Sequence, residues 1–350
     1  MTTVRIIGGG IAGATLAATL DRPDWSVTVH ERDPAASVLD TAFALFPQAM
    51  AALRSAGLGP AIEAAGIRVD AARILTADGR PLARVPRLSA VMIGRAQLHA
   101  VLTAARPATT RLSPAEAVAP EALDADVLVG ADGARSTVRT AVWGARSGPR
   151  KPALTVIRGV VDADLSGSGV TEYWGERMLV GITPLPGVEA SSGRRTNWFA
   201  AFPEQRFSSV ADGLDRLRAA ARSFPAPVAE VLAAATPDQT VISGIHVSRP
   251  LTSFVRGRTV LIGDAAHAMQ PNLGRGACES ICDAVALAGL LNTHPPDAAL
   301  GLYARRRRIA PQVIQRVASL ASALALAGGR PARVRDRALT ALARIGPAGS

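Results

Sequence analysis

The glycine-rich turn near the amino terminus constrains the fold of this chain more than any other feature. Gly8, Gly10 and Gly13 follow a short apolar run and match the spacing G-x-G-x-x-G. In this arrangement the first glycine allows a tight turn, the second lets backbone approach a pyrophosphate, and the third lets the next helix pack closely on the strand. The apolar-periodic segment beginning at Ile11 and Ala12 predicts that helix, whose N–H groups would face the phosphate.

An acidic residue lies at the distance expected for a ribose ligand. Residues 26–30 predict a second strand, and this strand ends at Glu31, eighteen residues after Gly13. An acid at about this separation binds the ribose of a dinucleotide. Arg32 follows directly and is a further candidate ligand. A turn that binds nothing is the alternative, and the strand, turn and helix order favours a dinucleotide site.

Two further segments repeat the order of apolar strand, turn and helix. Residues 127–130 lead into the turn at Asp132, and residues 259–262 lead into Gly263 and Asp264. Strands connected through helices are typically parallel, so their carboxyl ends meet at one sheet edge, where ligands bind. Asp132 and Asp264 are the polar residues at these strand ends and are candidate cofactor ligands.

Arg95 is a candidate anion clamp. Residues 92–98 predict the opening of a helix, and a cation is an unusual residue at a helix N-terminus because that end already carries partial positive charge.

The remaining pattern predicts an α/β fold with an inserted β domain. Residues 153–249 carry short β-rich runs, including 154–161 and 196–202, separated by Gly, Ser and Pro. We expect a Rossmann-like domain with a parallel sheet from residues 1–152 and 250–325, and a mostly antiparallel substrate domain from 153–249. A helical tail follows at 326–350, and a hairpin near 70–90 contributes to the substrate side.

Several helix limits follow from helix-breaking residues. A helix from Pro47 is expected to end at Gly59-Pro60, and a helix over residues 302–327 is expected to kink at Pro311. One helical segment, residues 213–221, is expected inside the β domain.

The formal charge of +11 raises the question of nucleic-acid binding. Residues 301–350 hold ten arginines and one acid, Asp336, so this tail contributes +9. Only one of the 39 basic residues, Lys151, is a lysine, a bias that also arises from coding composition. We interpret residues 305–308 as a solvated helix face, with a nucleic-acid contact as the disfavoured alternative.

The cysteine and hydropathy patterns exclude other classes. Cys278 and Cys282 are interpreted as small buried side chains rather than a redox pair, and no ligand cluster predicts a metal site. Neither a long apolar span nor a secretory signal is evident, so a cytoplasmic protein without a membrane span is expected.

Taken together, the three strand–turn–helix segments resemble the single-component flavin-dependent aromatic hydroxylases typified by para-hydroxybenzoate hydroxylase. The similarity extends to the shorter bacterial members, zeaxanthin epoxidase and FAD-dependent urate hydroxylase. It covers residues 1 to about 325 and rests on the glycine motif with Glu31, on Asp132-Gly133, and on Gly263-Asp264 with the loop 271–276.

The resemblance implies roles for individual residues. Glu31 would bind the adenosine ribose, Arg95 would approach the FAD, and Asp264 would bind the ribityl or pyrophosphate region. Residues 274–277 would lay N–H groups beside the flavin pyrimidine edge, where a helix N-terminus stabilises negative charge. Asp132 would act directly or by supporting the domain, and His267 would shape its turn. The further candidate cofactor ligands that the resemblance implies are Gly263, Pro271, Gly274, Gly276 and Ala277.

The resemblance also implies a reaction. NAD(P)H, as a transient co-substrate, would reduce FAD, and O2 would form a flavin C4a-hydroperoxide that hydroxylates or epoxidises an electron-rich aromatic or olefinic molecule. No catalytic side chain is certain; the weak candidates are Arg158 as substrate ligand and His246 or Tyr173 as base. Asp40 and Phe43 fall where relatives carry a glycine-rich loop beside the flavin.

Other functions remain open at this point. A flavin halogenase and a flavin oxidase or dehydrogenase use the same scaffold, although the halogenase motif Trp-x-Trp-x-Ile is missing. A flavin-binding or nucleic-acid-binding regulator is the non-enzyme alternative. The expected partners are a small substrate and O2 rather than nucleic acid, with a monomer or homodimer as the assembly.

Overall fold

The computed structural model describes residues 1–33, 39–114, 124–152, 154–167, 169–188 and 193–345, with the side chains of 86, 87 and 341–345 excepted. The last five residues of the predicted tail therefore lie outside the described part. The strands are β1 (Thr3–Ile7), β2 (Ser26–Glu31), β3 (Ala42–Leu45), β4 (Ile67–Thr76), β5 (Pro81–Gly94), β6 (Arg111–Pro114), β7 (Val127–Gly130), β8 (Leu154–Val161), β9 (Val170–Trp174), β10 (Leu179–Leu185), β11 (Arg195–Pro203), β12 (Thr240–Ile245), β13 (Val255–Arg256) and β14 (Thr259–Leu261).

The helices connect and cover these strands. They are α1 (Ile11–Thr19), α2 (Pro47–Ser55), α3 (Gly59–Ala65), α4 (Arg95–Ala104), α5 (Thr137–Trp143), α6 (Val210–Ala220), α7 (Ala226–Ala234), α8 (Asp264–His267), α9 (Gly276–Thr293), α10 (Pro296–Arg307), α11 (Ala310–Ala325) and α12 (Gly329–Ile345).

The first sheet has six strands in the order β13-β14-β7-β1-β2-β6. All neighbours are parallel except β13, which pairs antiparallel with β14. The central strands are apolar on both faces because helices cover both faces, and α9 packs against α1. The carboxyl ends of β1, β2, β7 and β14 consequently meet at one edge, as predicted.

The second sheet has eight strands in the order β12-β8-β11-β10-β9-β4-β5-β3. It is antiparallel except for the β4–β9 pair, which joins the early hairpin to the inserted strands. One face carries large apolar residues such as Ile157 and Trp198, which pack under α6 and α7. The strands paired on either side of Asp78-Gly79 belong to this sheet, in agreement with the predicted hairpin.

Three local predictions were wrong. The Gly59-Pro60 pair begins α3 instead of ending α2, because proline is tolerated in the first turn of a helix. Residues 92–94 end β5, and the helix begins at Arg95. The predicted helix over 302–327 is two helices separated at Arg308 and Ile309, with Pro311 in the first turn of α11. The helix α7 was not predicted.

No single helix among the described residues is long and apolar enough to cross a membrane, although one bent pair, Pro296–Ala325 with Gly329–Thr340, meets the criteria of length and composition. The same part of the chain contains no group of three or more His, Cys, Asp and Glu residues arranged to hold a metal ion.

A buried arginine connects the two strand–turn–helix segments at α5 and α8. The Arg139 side chain is 1% exposed, and its guanidinium donates to the carbonyl oxygens of Ser147 at 2.8 Å, Ala265 at 3.0 Å, Ala266 at 2.7 Å and Arg249. Burial lowers the pKa of Arg139 to about 10, so the group stays charged at neutral pH.

We predict that Arg139→Met lowers the free energy of unfolding by about 3 kcal/mol or more, because several buried carbonyls lose their donor. Chemical denaturation of the two proteins measures the difference. Arg146→Met is the matched control, since Arg146 lies nearby and is exposed. Equal midpoints for both variants would show that Arg139 does not hold this junction.

Candidate functional site

Four loops meet at the carboxyl edge of the six-stranded sheet. The backbone fixes their mutual positions: Gly8 N–H donates to His30 O at 2.8 Å, Ala131 N–H to Ile7 O at 2.8 Å, and Ile262 N–H to Gly130 O at 3.0 Å. Gly8 has a φ of +101°, and a Cβ there would collide with the Ala131 backbone. The tight turn expected from the first glycine is thus required by the neighbouring loop.

The glycine motif leaves an open approach at its centre. A Cβ on Gly13 would collide with the carbonyl oxygen of Gly8, which explains the close helix packing predicted for this residue. A Cβ on Gly10 would meet no atom within 4 Å, so the space beside it is open. Gly10 precedes α1, and Ile11 and Ala12 form its first turn.

Glu31 lies against the glycine loop. Its Oε2 accepts from Gly9 N–H at 2.6 Å, and its Oε1 accepts from Asp33 N–H at 3.2 Å. A carboxylate is therefore positioned at the end of β2, beside the first turn of the motif. Arg32 is exposed, and its side chain makes no hydrogen bond to the described residues.

His99 is a site residue that the sequence reasoning missed. It lies on α4, and its Nε2 is 2.9 Å from the carbonyl oxygen of Gly9. Its spacing from Arg95 could have indicated this position. His99 is four residues after Arg95, and residues four apart lie on the same face of a helix.

Arg95 lies between the two sheets. Its guanidinium stacks over the Phe43 ring at 4.4 Å from the centroid. Burial, together with the positive charge of Arg158, lowers the pKa of Arg95 to about 10, whereas the carboxylates of Asp264 and Asp40 act in the opposite direction. Arg95 is therefore a charged side chain within electrostatic reach of both Asp264 and Arg158.

Asp40 links the start of α4 to the second sheet. Its Oδ1 accepts from Ala96 N–H at 2.8 Å, and its Oδ2 lies 2.5 Å from Nη2 of Arg195. The ion pair is mostly buried. Asp40 and Phe43 thus position Arg95 through the backbone and through ring stacking.

Gly263 and Asp264 form a tight turn at the end of β14. Gly263 has a φ of +59°, and a Cβ there would lie 2.8 Å from both Ala12 Cβ and Ser280 Oγ. Asp264 begins α8 and is exposed to solvent. Loss of hydration among the surrounding protein atoms raises its pKa, while His267 and Arg95 counteract this effect.

The loop before α9 closes the same edge. Pro271 starts a single 3-10 turn, Gly274 adopts the left-handed conformation with a φ of +60°, and Gly276 and Ala277 open α9. A Cβ on Gly276 would come 3.9 Å from Oδ1 of Asp264. The first N–H groups of a helix have no partner within it, so this end of α9 is a suitable anion site.

Asp132 has a structural function in this fold. Its Oδ2 accepts from Thr137 N–H at 2.7 Å, Thr137 Oγ1 at 2.9 Å and Val138 N–H at 3.2 Å, and it thereby caps α5. The buried Oδ1 has no hydrogen-bond partner among the described residues. These contacts favour the structural role of Asp132 over direct cofactor binding. Its Oδ1 remains available to accept a hydrogen bond.

A buried ionic cluster lies behind the loop at residues 271–276. We call it the Asp283 cluster, and it consists of Asp283, His267, Arg307, Glu279 and Arg275. Oδ2 of Asp283 accepts from Gly263 N–H at 2.9 Å and lies 2.5 Å from His267 Nε2. Arg307 bonds Asp283 Oδ1 and Glu279 Oε2, each at 2.6 Å, and Arg275 Nη2 lies 3.2 Å from Glu279 Oε1.

Opposite charges stabilise the ionised form of Asp283. Burial opposes this charge, but the His267 and Arg307 charges hold the pKa of Asp283 below its usual range. The Asp283 carboxylate in turn raises the pKa of His267 and of Arg307. The interpretation of residues 305–308 as a solvated face was therefore wrong for Arg307, whose side chain is 13% exposed. The role assigned to His267, shaping its turn, agrees with these contacts.

The predicted substrate-side residues separate in the structure. Arg158 lies on the face of the eight-stranded sheet opposite α6 and α7; burial lowers its pKa, and its Nε has no hydrogen-bond partner among the described residues. Tyr173 lies on the other face, in the apolar core under α6 and α7. His246 falls one residue past β12, where its Nδ1 is 3.3 Å from Arg150 O. The geometry therefore gives no support to Tyr173 as a base.

Glu172 is a second residue that the sequence reasoning missed. Successive strand residues point to opposite faces, so Glu172 faces away from Tyr173 and shares a face with Arg158. The strand register places Arg158, Phe199, Gly181 and Glu172 in one row across four neighbouring strands. The backbones of Arg158 and Glu172 are therefore three strand spacings apart, about 14 Å. Burial raises the pKa of Glu172, and its Oε2 accepts from Trp174 Nε1 at 2.9 Å.

Other features lie outside this edge. Cys278 is buried, while Cys282 is partly exposed and burial raises its pKa to about 11, so its thiol stays protonated at neutral pH. Cys282 lines a cavity of about 780 Å³ between α2, α9 and α10. None of the predicted cofactor residues lines this cavity.

Comparisons with known proteins identify the family. The model of the FAD binding domain family matches residues 1–116 and 95–317. The chain is 32% identical over 315 residues to the aurachin C monooxygenase/isomerase of Stigmatella aurantiaca, covering 83% of this chain and 80% of that protein. It is 30% identical over 371 residues to the 3-amino-4-hydroxybenzoate 2-monooxygenase of Streptomyces cremeus, covering 97% and 91%.

The fold agrees with a solved structure of the same class. The Klebsiella pneumoniae HpxO protein, in complex with FAD and uric acid, superposes with a TM-score of 0.82 at 22% identity, covering 98% of this chain and 93% of that chain. The chain belongs to the FAD-binding family of class A flavoprotein monooxygenases. The predicted fold class, FAD cofactor and enzyme class are thereby confirmed.

We predict that Arg307→Met lowers the free energy of unfolding by about 3–5 kcal/mol, because Asp283 and Glu279 would remain buried without their cation. Urea denaturation measures the change. Arg306→Met serves as control, since Arg306 is the adjacent exposed arginine. If both variants unfold at the same urea concentration, Arg307 does not stabilise the cluster.

We further predict that Glu172→Gln stabilises the protein at neutral pH. The raised pKa of Glu172 means that the folded state binds the proton more tightly, so stability falls as pH rises above the ordinary value of about 4.3. Glutamine removes this dependence and keeps an oxygen acceptor for Trp174.

The measurement for Glu172 is the unfolding midpoint of both proteins from acidic to neutral pH. The gain should shrink toward acidic pH, where glutamate is protonated in both states. Glu176→Gln is the control, because Glu176 is exposed in the turn that follows β9. A pH-independent difference between Glu172→Gln and the parent would contradict the prediction.

Proposed function

We propose that this protein uses NAD(P)H and O2 to hydroxylate an electron-rich aromatic substrate that carries an acidic group. The observation that carries the proposal is the convergence of Gly10, Asp264 and the start of α9 with Arg95, which in turn lies within electrostatic reach of Arg158 on the second sheet. The edge of the six-stranded sheet thus offers backbone for phosphate binding, and the eight-stranded sheet offers a cation for substrate.

The residues present fit FAD. Gly10 leaves room for close approach of a pyrophosphate, and Glu31 lies at the strand end where a ribose hydroxyl would bind. Asp264 and the N-terminus of α9 adjoin each other at the opposite end of the edge. We therefore propose that Glu31, Arg95, Asp264 and residues 274–277 hold the cofactor.

FAD supplies the redox and oxygen chemistry when it is bound. The chain's own residues bind it, orient the substrate and exclude water. The N-terminus of α9 would favour negative charge on the bound ring system, by up to about 2 kcal/mol in a partly buried site. The Asp283 cluster holds the loop that presents this helix end.

An anionic substituent on the substrate follows from the charge of the substrate side. Arg158 is largely buried, and no carboxylate lies within 4.0 Å of it in the described residues. A buried cation without a partner is costly, and a substrate carboxylate or phenolate would satisfy it. The similarity to a monooxygenase named for 3-amino-4-hydroxybenzoate supports an acidic aromatic substrate.

We predict that Arg158→Met raises KM for an acidic aromatic substrate about 10- to 100-fold, through loss of charge-assisted hydrogen bonds, and leaves FAD content unchanged. Purified protein should carry the visible absorption of oxidised flavin. A panel of hydroxybenzoates and hydroxypyridine carboxylates should be screened for stimulated NAD(P)H oxidation, with mass spectrometry for the gain of one oxygen atom.

Two controls make the result specific. Arg84→Met removes an exposed arginine of the same sheet and should leave KM unchanged. The methyl ester of a substrate should react with similar KM in parent and Arg158→Met. An equal effect on acid and ester, or no stimulated turnover by any aromatic, would contradict the proposal.

A further inference from the structure

The helix α11 has its apolar face turned to solvent. Its buried positions are 311, 315, 318, 322 and 325, occupied by proline, glutamine, alanine, serine and alanine. Its large apolar residues occupy the opposite side. We call these residues, with the one preceding the helix, the α11 stripe: Ile309 (61% exposed), Val313 (49%), Val317 (47%), Leu320 (71%) and Leu324 (45%).

Specific hydrogen bonds determine which face of α11 lies inward. Gln315 Nε2 donates to Ser248 O at 3.0 Å and to Ala268 O at 2.7 Å. Ser322 Oγ donates to Gln270 Oε1 at 3.2 Å. Rotating the helix to bury the stripe would remove these bonds from groups that are themselves buried. A contiguous exposed apolar face of this kind marks an interaction surface.

The part of the chain that carries the stripe, residues 301–345, is strongly basic. The only acid in the described residues from 301 to 345 is Asp336, and it pairs with Arg335 at 2.7 Å. Arg316 lies beside the stripe on α11 itself. The exposed arginines of this region are Arg305, Arg306, Arg308, Arg316, Arg330, Arg333 and Arg337.

We propose that α11 docks on an anionic lipid surface, with the α11 stripe at the boundary of headgroups and acyl chains and the arginines on lipid phosphates. An amphipathic helix with an apolar face and flanking cations binds membranes in this way. A second copy of the chain is the weaker candidate, because two faces with seven uncompensated arginines each repel one another.

The docking would bring lipid close to the substrate cleft. The inner face of α11 bonds Ala268 and Gln270, which directly precede the loop 271–276. A helix with its side chains is about 10 Å across, so one helix separates this loop from the lipid surface. The proposal is independent of the substrate and of the reaction.

Vesicle flotation of the purified full-length protein tests the proposal. The probes are vesicles of phosphatidylcholine alone and of phosphatidylcholine mixed with phosphatidylglycerol. The parent protein should float with the anionic vesicles only, and added NaCl should release it. Val317→Gln/Leu320→Gln should lower the partition coefficient more than about tenfold, because two apolar side chains no longer enter the membrane.

The charge contribution is measured separately. Arg316→Gln should lower the partition coefficient about fivefold. Val188→Gln and Arg222→Gln, which change exposed residues in the segments after β10 and after α6, should bind as the parent does. Glutamine preserves helix propensity, and unchanged flavin content with far-UV circular dichroism verifies the fold of each variant.

Three outcomes would overturn the proposal. The first is a parent protein that does not bind anionic vesicles at low salt. The second is a parent that sediments as a dimer and becomes a monomer in Val317→Gln/Leu320→Gln, which would assign the stripe to self-association. The third is salt-sensitive retention on duplex DNA with vesicle binding that the stripe variants do not alter.

Discussion

The hydrogen bonds and ion pairs of the buried Asp283 carboxylate are the interactions on which the rest of the site depends. An isolated carboxylate in a protein interior costs several kcal/mol, so a carboxylate with no exposure requires fixed donors. Gly263 N–H, His267 and Arg307 supply them, and they come from the turn after β14, from α8 and from the end of α10. None of these elements can shift without breaking a bond to a buried charge. Through Glu279 the same cluster reaches Arg275, so the loop before α9 is held at both of its ends.

The two faces of the eight-stranded sheet differ in chemical character. The face under α6 and α7 is an apolar core, in which Tyr173 is one of the packed aromatic residues. The opposite face carries Arg158 and Glu172, and Arg158 lies within electrostatic reach of Arg95. Arg95 and Arg158 are close enough for their positive charges to repel, while the carboxylates of Asp264 and Asp40 partly offset the charge of Arg95.

Much of the fold could be predicted because the signals are local. The β-rich run bounded by turn residues predicted β8 at its observed limits, residues 154–161, and the glycine spacing predicted the turn between β1 and α1. The errors arose where one local pattern fits two structures. A Gly-Pro pair starts a helix as readily as it ends one, as Gly59-Pro60 does here. The short run at residues 92–94 fits the end of a strand as well as the start of a helix. Pro311 predicts a kink within one helix, whereas one helix ends at Arg307 and a second begins at Ala310. His99 and Glu172 were missed because their significance depends on what faces them.

The sequence by itself determined the three strand–turn–helix segments, the inserted β domain and the residues at the carboxyl edge of the parallel sheet, since glycine conformations, strand alternation and chain connectivity act over a few residues. Only the tertiary structure decided which strand face meets the cleft, why Arg307 is buried while its neighbours are solvated, and why the apolar side of α11 faces outward. Those outcomes depend on which elements pack together and on which buried polar atoms need partners. Such long-range requirements are not encoded in the spacing of neighbouring residues.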